Sequence, residues 1–329
     1  MRENDFSGRR HLILKLLKNS LAYLKPHIRW FIVGATLFFL LQTLIRHWQE
    51  VTTIQISVAG WAILAGALCV TFLAHVWSSF VWTWILRELN QQVNNHHFIR
   101  VYLKTNIAKY LPGNVWHYYG RITAAKDAGV STSVATLSVL LEPLLMAASA
   151  LIIVLLGVSL EVGDRHLPLI LLSILGLASV LIAIHPWFLN TAIRFLGKLK
   201  LKKNHNNTTD LHSSMVVNYP LKPLIGELGF VLLRGTGFLL TLLAFTSLQL
   251  EQLPLIMGAF SLAWLLGLIV PGAPGGLGVF EATAIALLEH RLSPGIVISA
   301  IAFYRLVSIL AETSAAGFAW LDERRLDFN

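Results

Sequence analysis

The 329-residue chain is 55% hydrophobic and 13% charged, about half the charged fraction usual for a soluble domain, which excludes an ordinary soluble fold. Its net charge of +9 would suit nucleic acid, but the cations fall in alternate inter-segment stretches, the distribution of loops beside a membrane. No nucleic-acid partner is therefore expected. A single cysteine, Cys69, leaves no internal disulfide and no cysteine-cluster metal site.

The tail 1–29 carries Arg2, Arg9, Arg10, Lys15, Lys18, Lys25 and Arg29 and reads as cytoplasmic. The first apolar segment, 30–46, runs directly into Arg46-His47-Trp48 without a small-residue cleavage site, so it reads as a retained span. Further full spans are expected near 58–86, 131–157, 167–186, 223–248 and 294–320, with Ser131 or Ser133 capping the third. Six cations lie between the second and third spans: Arg87, Arg100, Lys104, Lys109, Arg121 and Lys126. Six more follow the fourth: Arg194, Lys198, Lys200, Lys202, Lys203 and Lys222. The loop 187–222 is thus a second cytoplasmic stretch, polar and without the signs of a folded domain. The intervening loops carry Arg46, Arg165 and Arg291. Residues 1–329 read as one integral membrane domain of the cytoplasmic membrane, both termini cytoplasmic.

Two segments do not read as ordinary spans. In 98–128, Phe98–Leu111 and Asn114–Ala128 are predicted helices separated by Pro112, which cannot continue a helix, and Gly113, which permits the turn. In 254–290, an apolar helix stops at Pro271, "PGAPGGLG" follows, and a helix runs from Leu277 to about Glu289. That last helix would be about 21 Å long, short of a hydrocarbon core of about 30 Å. Both segments read as re-entrant hairpins, entering from opposite sides. Their shared order of helix, aliphatic-Pro-Gly stop and glycine-bearing restart reads as an inverted repeat. The expected fold class is an all-α polytopic membrane protein, about six full transmembrane helices plus two re-entrant hairpins.

Chemistry is expected where charge and open backbone enter apolar surroundings. The restart at Gly275, Gly276 and Gly278 would expose unpaired N–H groups, a setting that attracts anions. The same glycine-rich run also reads as a plain connecting turn. Glu142, Glu227, Arg234, Arg305 and Glu312 interrupt apolar spans, and Glu281 follows the second break. Glu227 and Arg234 lie seven residues apart, as do Arg305 and Glu312, so each pair shares a helical face. Two readings stay open for such groups: ion pairs that hold helices in register, or a polar cavity for a headgroup. Lys109, His117 and Arg121 flank the first break, where cations also snorkel without a specific task. Tyr110, Trp116, Tyr118 and Tyr119 read as interface aromatics, and His75 as a packed polar residue. His96 and His97 diverge by about 100° on a helix and have no carboxylate or cysteine cluster beside them, so no metal is expected.

Taken in order, "KYLPGNVWHYYGR", "PGAPGGLGVFEA" and "FYRLVSILAE" resemble the transmembrane region of the lysylphosphatidylglycerol synthase/flippase family, including its stand-alone YbhN-like and AglD-like members. The resemblance covers essentially the whole chain. It implies lipid translocation or handling rather than aminoacyl transfer, because the family's soluble transferase domain has no room after Asn329. It points to Tyr110, Pro112, Gly113 and Arg121, then Pro274, Gly275, Gly276, Gly278 and Glu281, and to Arg305. Asn114 departs from the lysine expected there in many relatives. With Lys109, Glu142, Arg234 and Glu312 these, Pro274 excepted, form the expected substrate-binding set; no catalytic residue and no cofactor is expected. The expected partners are a membrane phospholipid or lipid-linked substrate, and an envelope-synthesis enzyme. A membrane-embedded transferase of envelope glycolipid or polysaccharide synthesis is the alternative, with Glu50, Glu161 and Asp164 as its candidate outer-loop carboxylates, or a non-catalytic partner of such an enzyme.

Overall fold

Long apolar runs have one way to satisfy their backbone polar groups in lipid without a closed barrel, which is to fold as helices. The computed structural model describes residues 45, 56–111, 115–159, 167–191, 219–270 and 274–327, and among them no strand occurs. The tail 1–29, the first span apart from Ile45, most of the loop 187–222, and Pro112, Gly113 and Asn114 lie outside those residues.

Helix α1 (Val58–Glu88) starts at Ser57, whose Oγ accepts from the Gly60 N–H at 3.0 Å. Helix α2 (Asn95–Asn106) tightens into a 3-10 turn at Ile107–Tyr110, and α3 (Trp116–Asp127) restarts beyond the first break. Helix α4 (Thr132–Ser159) has Ser131 before it, accepting from the Val134 N–H at 3.4 Å. Helix α5 (Leu167–Ala183) has 17 residues, about 26 Å at 1.5 Å per residue, and is shorter than the span expected there. Helix α6 (Leu221–Leu243) precedes α7 (Leu253–Ile269), α8 (Val279–Leu288) and the 34-residue α9 (Pro294–Asp327). Five stretches are long and apolar enough to cross a membrane: Val58–Glu88, Thr132–Gly157, Leu221–Leu243, Leu250–Ile269 and Pro294–Arg325. The fourth is the first arm of the second hairpin, which is therefore longer than a shallow dip requires; its return arm, α8, has only 10 residues.

The ends of these helices gather on two opposite sides. A Cβ placed on Gly157 of α4 would lie 2.6 Å from the Pro254 carbonyl oxygen and 3.0 Å from Gly258 Cα, so α4 and α7 cross backbone to backbone. Gly157, Pro254, Leu288 and Arg291 border one hollow, which puts the end of α4, the start of α7 and the end of α8 together. At the far end of α9, Asp322 and Glu323 pair with Arg100 and Lys104 of α2. Each hairpin therefore leaves on the side from which it entered, and the two sides are opposite. The tips meet between them: a Cβ on Gly275 would lie 2.7 Å from Cε1 of Tyr110.

The second turn is folded by glycine. Gly275, Gly276 and Gly278 have φ of 59°, 72° and 87°, a region that side-chain-bearing residues rarely occupy. Helix α6 packs against α1, α4, α7 and α9, and α4 packs against α1, α3, α5, α6 and α7. The α4–α7 crossing generates a direct test. Gly157→Ala should destabilise the protein by about 1–3 kcal/mol through overpacking against backbone that cannot yield, seen as a lower unfolding temperature in detergent.

Candidate functional site

The charges that interrupt the apolar spans converge on one cavity of about 120 Å³. It is bordered by α1, α2, α3, α4, α6, α7, α8 and α9 and by both hairpin tips, with Lys109, Tyr110, Arg121, Glu142, Arg234, Gly275, Gly276, Arg305 and Glu312 in its wall. Glu312 lies near the middle of α9, so the cavity sits at about half the height of that helix.

Three groups of ionic contacts build the wall. On the first-hairpin side, α3 turns His117, Arg121 and Ala125 inward at four-residue intervals. Arg121 Nη1 donates to Glu142 Oε2 at 2.5 Å, and its guanidinium stacks 3.6 Å from the Tyr102 ring centroid. The Tyr102 hydroxyl donates to Glu142 Oε1 at 2.6 Å, and Ser78 meets that hydroxyl at 2.6 Å. Glu142 reaches the cavity beside Pro143, which also lines it and removes one helical N–H donor at that point.

At the centre, one carboxylate serves three neighbours. Lys109 Nζ donates to Glu312 Oε1 at 2.7 Å, His75 Nε2 stands 3.2 Å from it and Arg234 Nη1 3.8 Å. Arg234 Nη1 also meets His75 Nε2 at 3.0 Å, while the backbone carbonyl of Arg234 accepts from the Tyr304 hydroxyl at 3.2 Å. On the second-hairpin side, Arg305 donates to Glu281 Oε1 through Nε at 2.8 Å and again through Nη2. Its Nη1 donates to the Gly275 carbonyl at 3.0 Å, and Glu281 Oε2 accepts from the Gly278 N–H at 2.6 Å.

One N–H of the glycine turn is already in use. The Gly278 N–H is already taken by Glu281, a carboxylate at the third helical position bonding back to its own helix start. What the turn offers Arg305 is a carbonyl. Gly275 and Gly276 line the cavity through close backbone approach, and Glu281 stands behind Arg305 rather than in the wall. Pro274 opens the 3-10 turn; Pro112 and Gly113 are outside the described residues.

Helix-face reasoning brought the right charges inward but did not find their partners. Residues seven apart share a face yet stand about 10 Å apart along the axis, so Arg305 pairs with Glu281 and Glu312 with Lys109 from other elements. Glu227 is fully buried behind the cavity, and neither of its oxygens meets a hydrogen-bond donor of the protein. His75 is no mere packing residue, since it bridges Arg234 and Glu312. Tyr110 and Tyr118 line the cavity instead of an interface belt, while Trp116 and Tyr119 are exposed as expected. The signal for His75 was present as a polar residue in a charge-free run. Tyr102 and Asn106, which also line the cavity, had none.

Removing one member of a buried pair leaves an uncompensated charge. Glu142→Gln should cost about 3–5 kcal/mol by stranding Arg121, and adding Arg121→Gln should recover part of the loss. Thermal unfolding of the two single variants and the double variant in detergent measures both effects.

Comparison with known proteins agrees with this architecture. No curated protein matches the chain. A family model described as "Lysylphosphatidylglycerol synthase TM region" matches residues 20–315, nearly the whole sequence and both hairpins. The chain is a multi-pass membrane protein of lipid and envelope biology, and it belongs to the lysylphosphatidylglycerol synthase transmembrane-region family.

Proposed function

We propose that the protein translocates a phospholipid or lipid-linked headgroup across the cytoplasmic membrane, the headgroup passing through the central cavity while the acyl chains stay in lipid. The observation that carries this reading is the meeting of two oppositely entering hairpins at a charged cavity halfway along α9. Irregular backbone at that depth is tolerated where it lines a polar space or is covered by protein, and broken helices meeting at a midplane site are a recurring transporter arrangement. A set of ion pairs serving only to hold helices together would be sealed. Here the Lys109 and Arg305 side chains keep 21% and 19% of their surface exposed, so a headgroup can exchange with their carboxylate partners.

The termini are assigned to the cytoplasm from the basic loops. In keeping with that, Arg100 and Lys104 share a side with Arg324 and Arg325. The sequence contains no GxxxxGK[ST] phosphate loop, so movement is downhill, ion-coupled or driven by a partner such as an envelope-synthesis enzyme. Embedded-transferase chemistry needs a free carboxylate base. Among the described residues Glu142, Glu281 and Glu312 are each held by a cation and Glu227, which no donor meets, is fully buried, while Glu50, Glu161 and Asp164 lie outside them.

Proteoliposomes containing fluorescent phosphatidylglycerol, with outer-leaflet label quenched by dithionite, test the reading. Wild type should expose inner-leaflet label faster than protein-free vesicles. Arg305→Ala should slow this by about tenfold, the effect of losing one charged contact, and Gly276→Leu should slow it by crowding the Gly267 backbone at the tip. Unchanged rates in both variants would remove the proposed route.

A further inference from the structure

Among the described residues Glu142, Glu227, Glu281 and Glu312 are the buried carboxylic acids, and Glu227 alone of them meets neither a cation nor a hydrogen-bond donor. It is fully buried on α6, one turn from Phe230 and two from Arg234, both of which line the cavity, so it stands on the cavity face of that helix. Glu142 of α4, Arg121 of α3 and Tyr102 of α2 lie within its electrostatic reach. The other helices packed against α6 bring no further charge to this point. Helix α7 has no Asp, Glu, Lys or Arg in Leu253–Ile269. His75 of α1 and Glu312 of α9 engage Arg234 instead, about 10 Å along the axis. Two carboxyl groups are thus served by one guanidinium. Arg121 gives Nη1 to Glu142, and its buried Nε has no acceptor. With both carboxyls ionised, one buried negative charge would stand uncompensated; a single proton held between the two removes it.

From this we infer that Glu227 is a proton-binding site that exchanges with the cavity through Glu142, and that a proton is the ion to which transport is coupled. The coupling rests on the translocation reading; the proton site rests on the unpartnered carboxyl alone. In the observed arrangement Glu227 holds the proton and Glu142 is the carboxylate on Arg121. In the second arrangement the proton has passed from the Glu227 hydroxyl to a Glu142 oxygen, and Arg121 turns its guanidinium to the new Glu227 carboxylate. That step creates and removes no net charge, so no unpaired ion has to form in dry protein. Glu142 lines the cavity and Glu227 lies behind it, so the second arrangement is the one that presents the proton to an occupant of the cavity. Carboxylates linked inside a membrane protein in this way serve as proton relays.

Infrared spectroscopy of the purified full chain in detergent reads the proton directly, because a protonated carboxyl has a carbonyl band separate from that of a carboxylate. Wild type at neutral pH should show the band and Glu227→Gln should lose it. Glu227→Asp should keep it at a shifted frequency, which gives a reading even where Glu227→Gln unfolds. Proteoliposomes with fluorescent phosphatidylglycerol and a clamped membrane potential test the coupling. A gradient of about one pH unit should move the final leaflet ratio by up to about tenfold in wild type, the limit for one proton per lipid, and leave it unmoved in Glu227→Gln. Absence of the band from wild type, or a band unaltered in both variants, overturns the inference. A Glu227-dependent band in a protein that moves no lipid keeps the proton site and removes the translocation reading. Lipid movement indifferent to the gradient keeps that reading and overturns the coupling.

Discussion

Ionised side chains inside an apolar bundle persist only when each finds a partner, because an unpaired charge at that depth is destabilising by several kcal/mol. In this protein the rule is satisfied almost wholly between elements. Arg121 of α3 meets Glu142 of α4, Lys109 beyond α2 meets Glu312 of α9, and Arg305 of α9 meets Glu281 of α8. These contacts tie both hairpins to the long helices. They also fix where the hairpin tips stop, with Tyr110 against Gly275. The same pairing that stabilises the bundle therefore creates its polar centre.

The apolar packing around that centre is arranged to leave it open. One core cluster joins α1, α2, α3 and α4 around Trp82, Phe98 and Leu141 and takes in Leu224 of α6 and Ala315 of α9. Another joins α6, α7, α8 and α9 through the rings of Phe238, Phe260, Phe280 and Tyr304. A third cluster, with Ala74, Met146, Val231 and Leu265, ties α1 and α4 to α6 and α7, and Tyr304 belongs both to the aromatic cluster and to the cavity wall.

Much of the site was legible because membrane sequences make charge conspicuous. A glutamate or arginine within an apolar run announces itself, and Glu142, Arg234, Arg305 and Glu312 all reach the cavity. Pro-Gly breaks announce themselves as well, because proline cannot continue a helix. Neutral polar residues do not: Tyr102 on an ordinary amphipathic helix looks like packing, and its hydroxyl is nonetheless bonded to Glu142. The glycine turn was legible only in part for a related reason. Its φ values were foreseeable from composition, but whether its N–H groups stay open depends on where the Glu281 side chain folds.

The sequence by itself determined the helical class, the membrane setting, the two interruptions and which charges must turn inward, because hydropathy, proline and glycine act locally along the chain. Only the tertiary structure decided which cation meets which carboxylate, that Glu227 has no such partner, and that one carboxylate is shared by Lys109 and Arg234. Pairing depends on distances of a few ångströms between residues such as Lys109 and Glu312, 203 positions apart, and no local pattern encodes a separation of that kind.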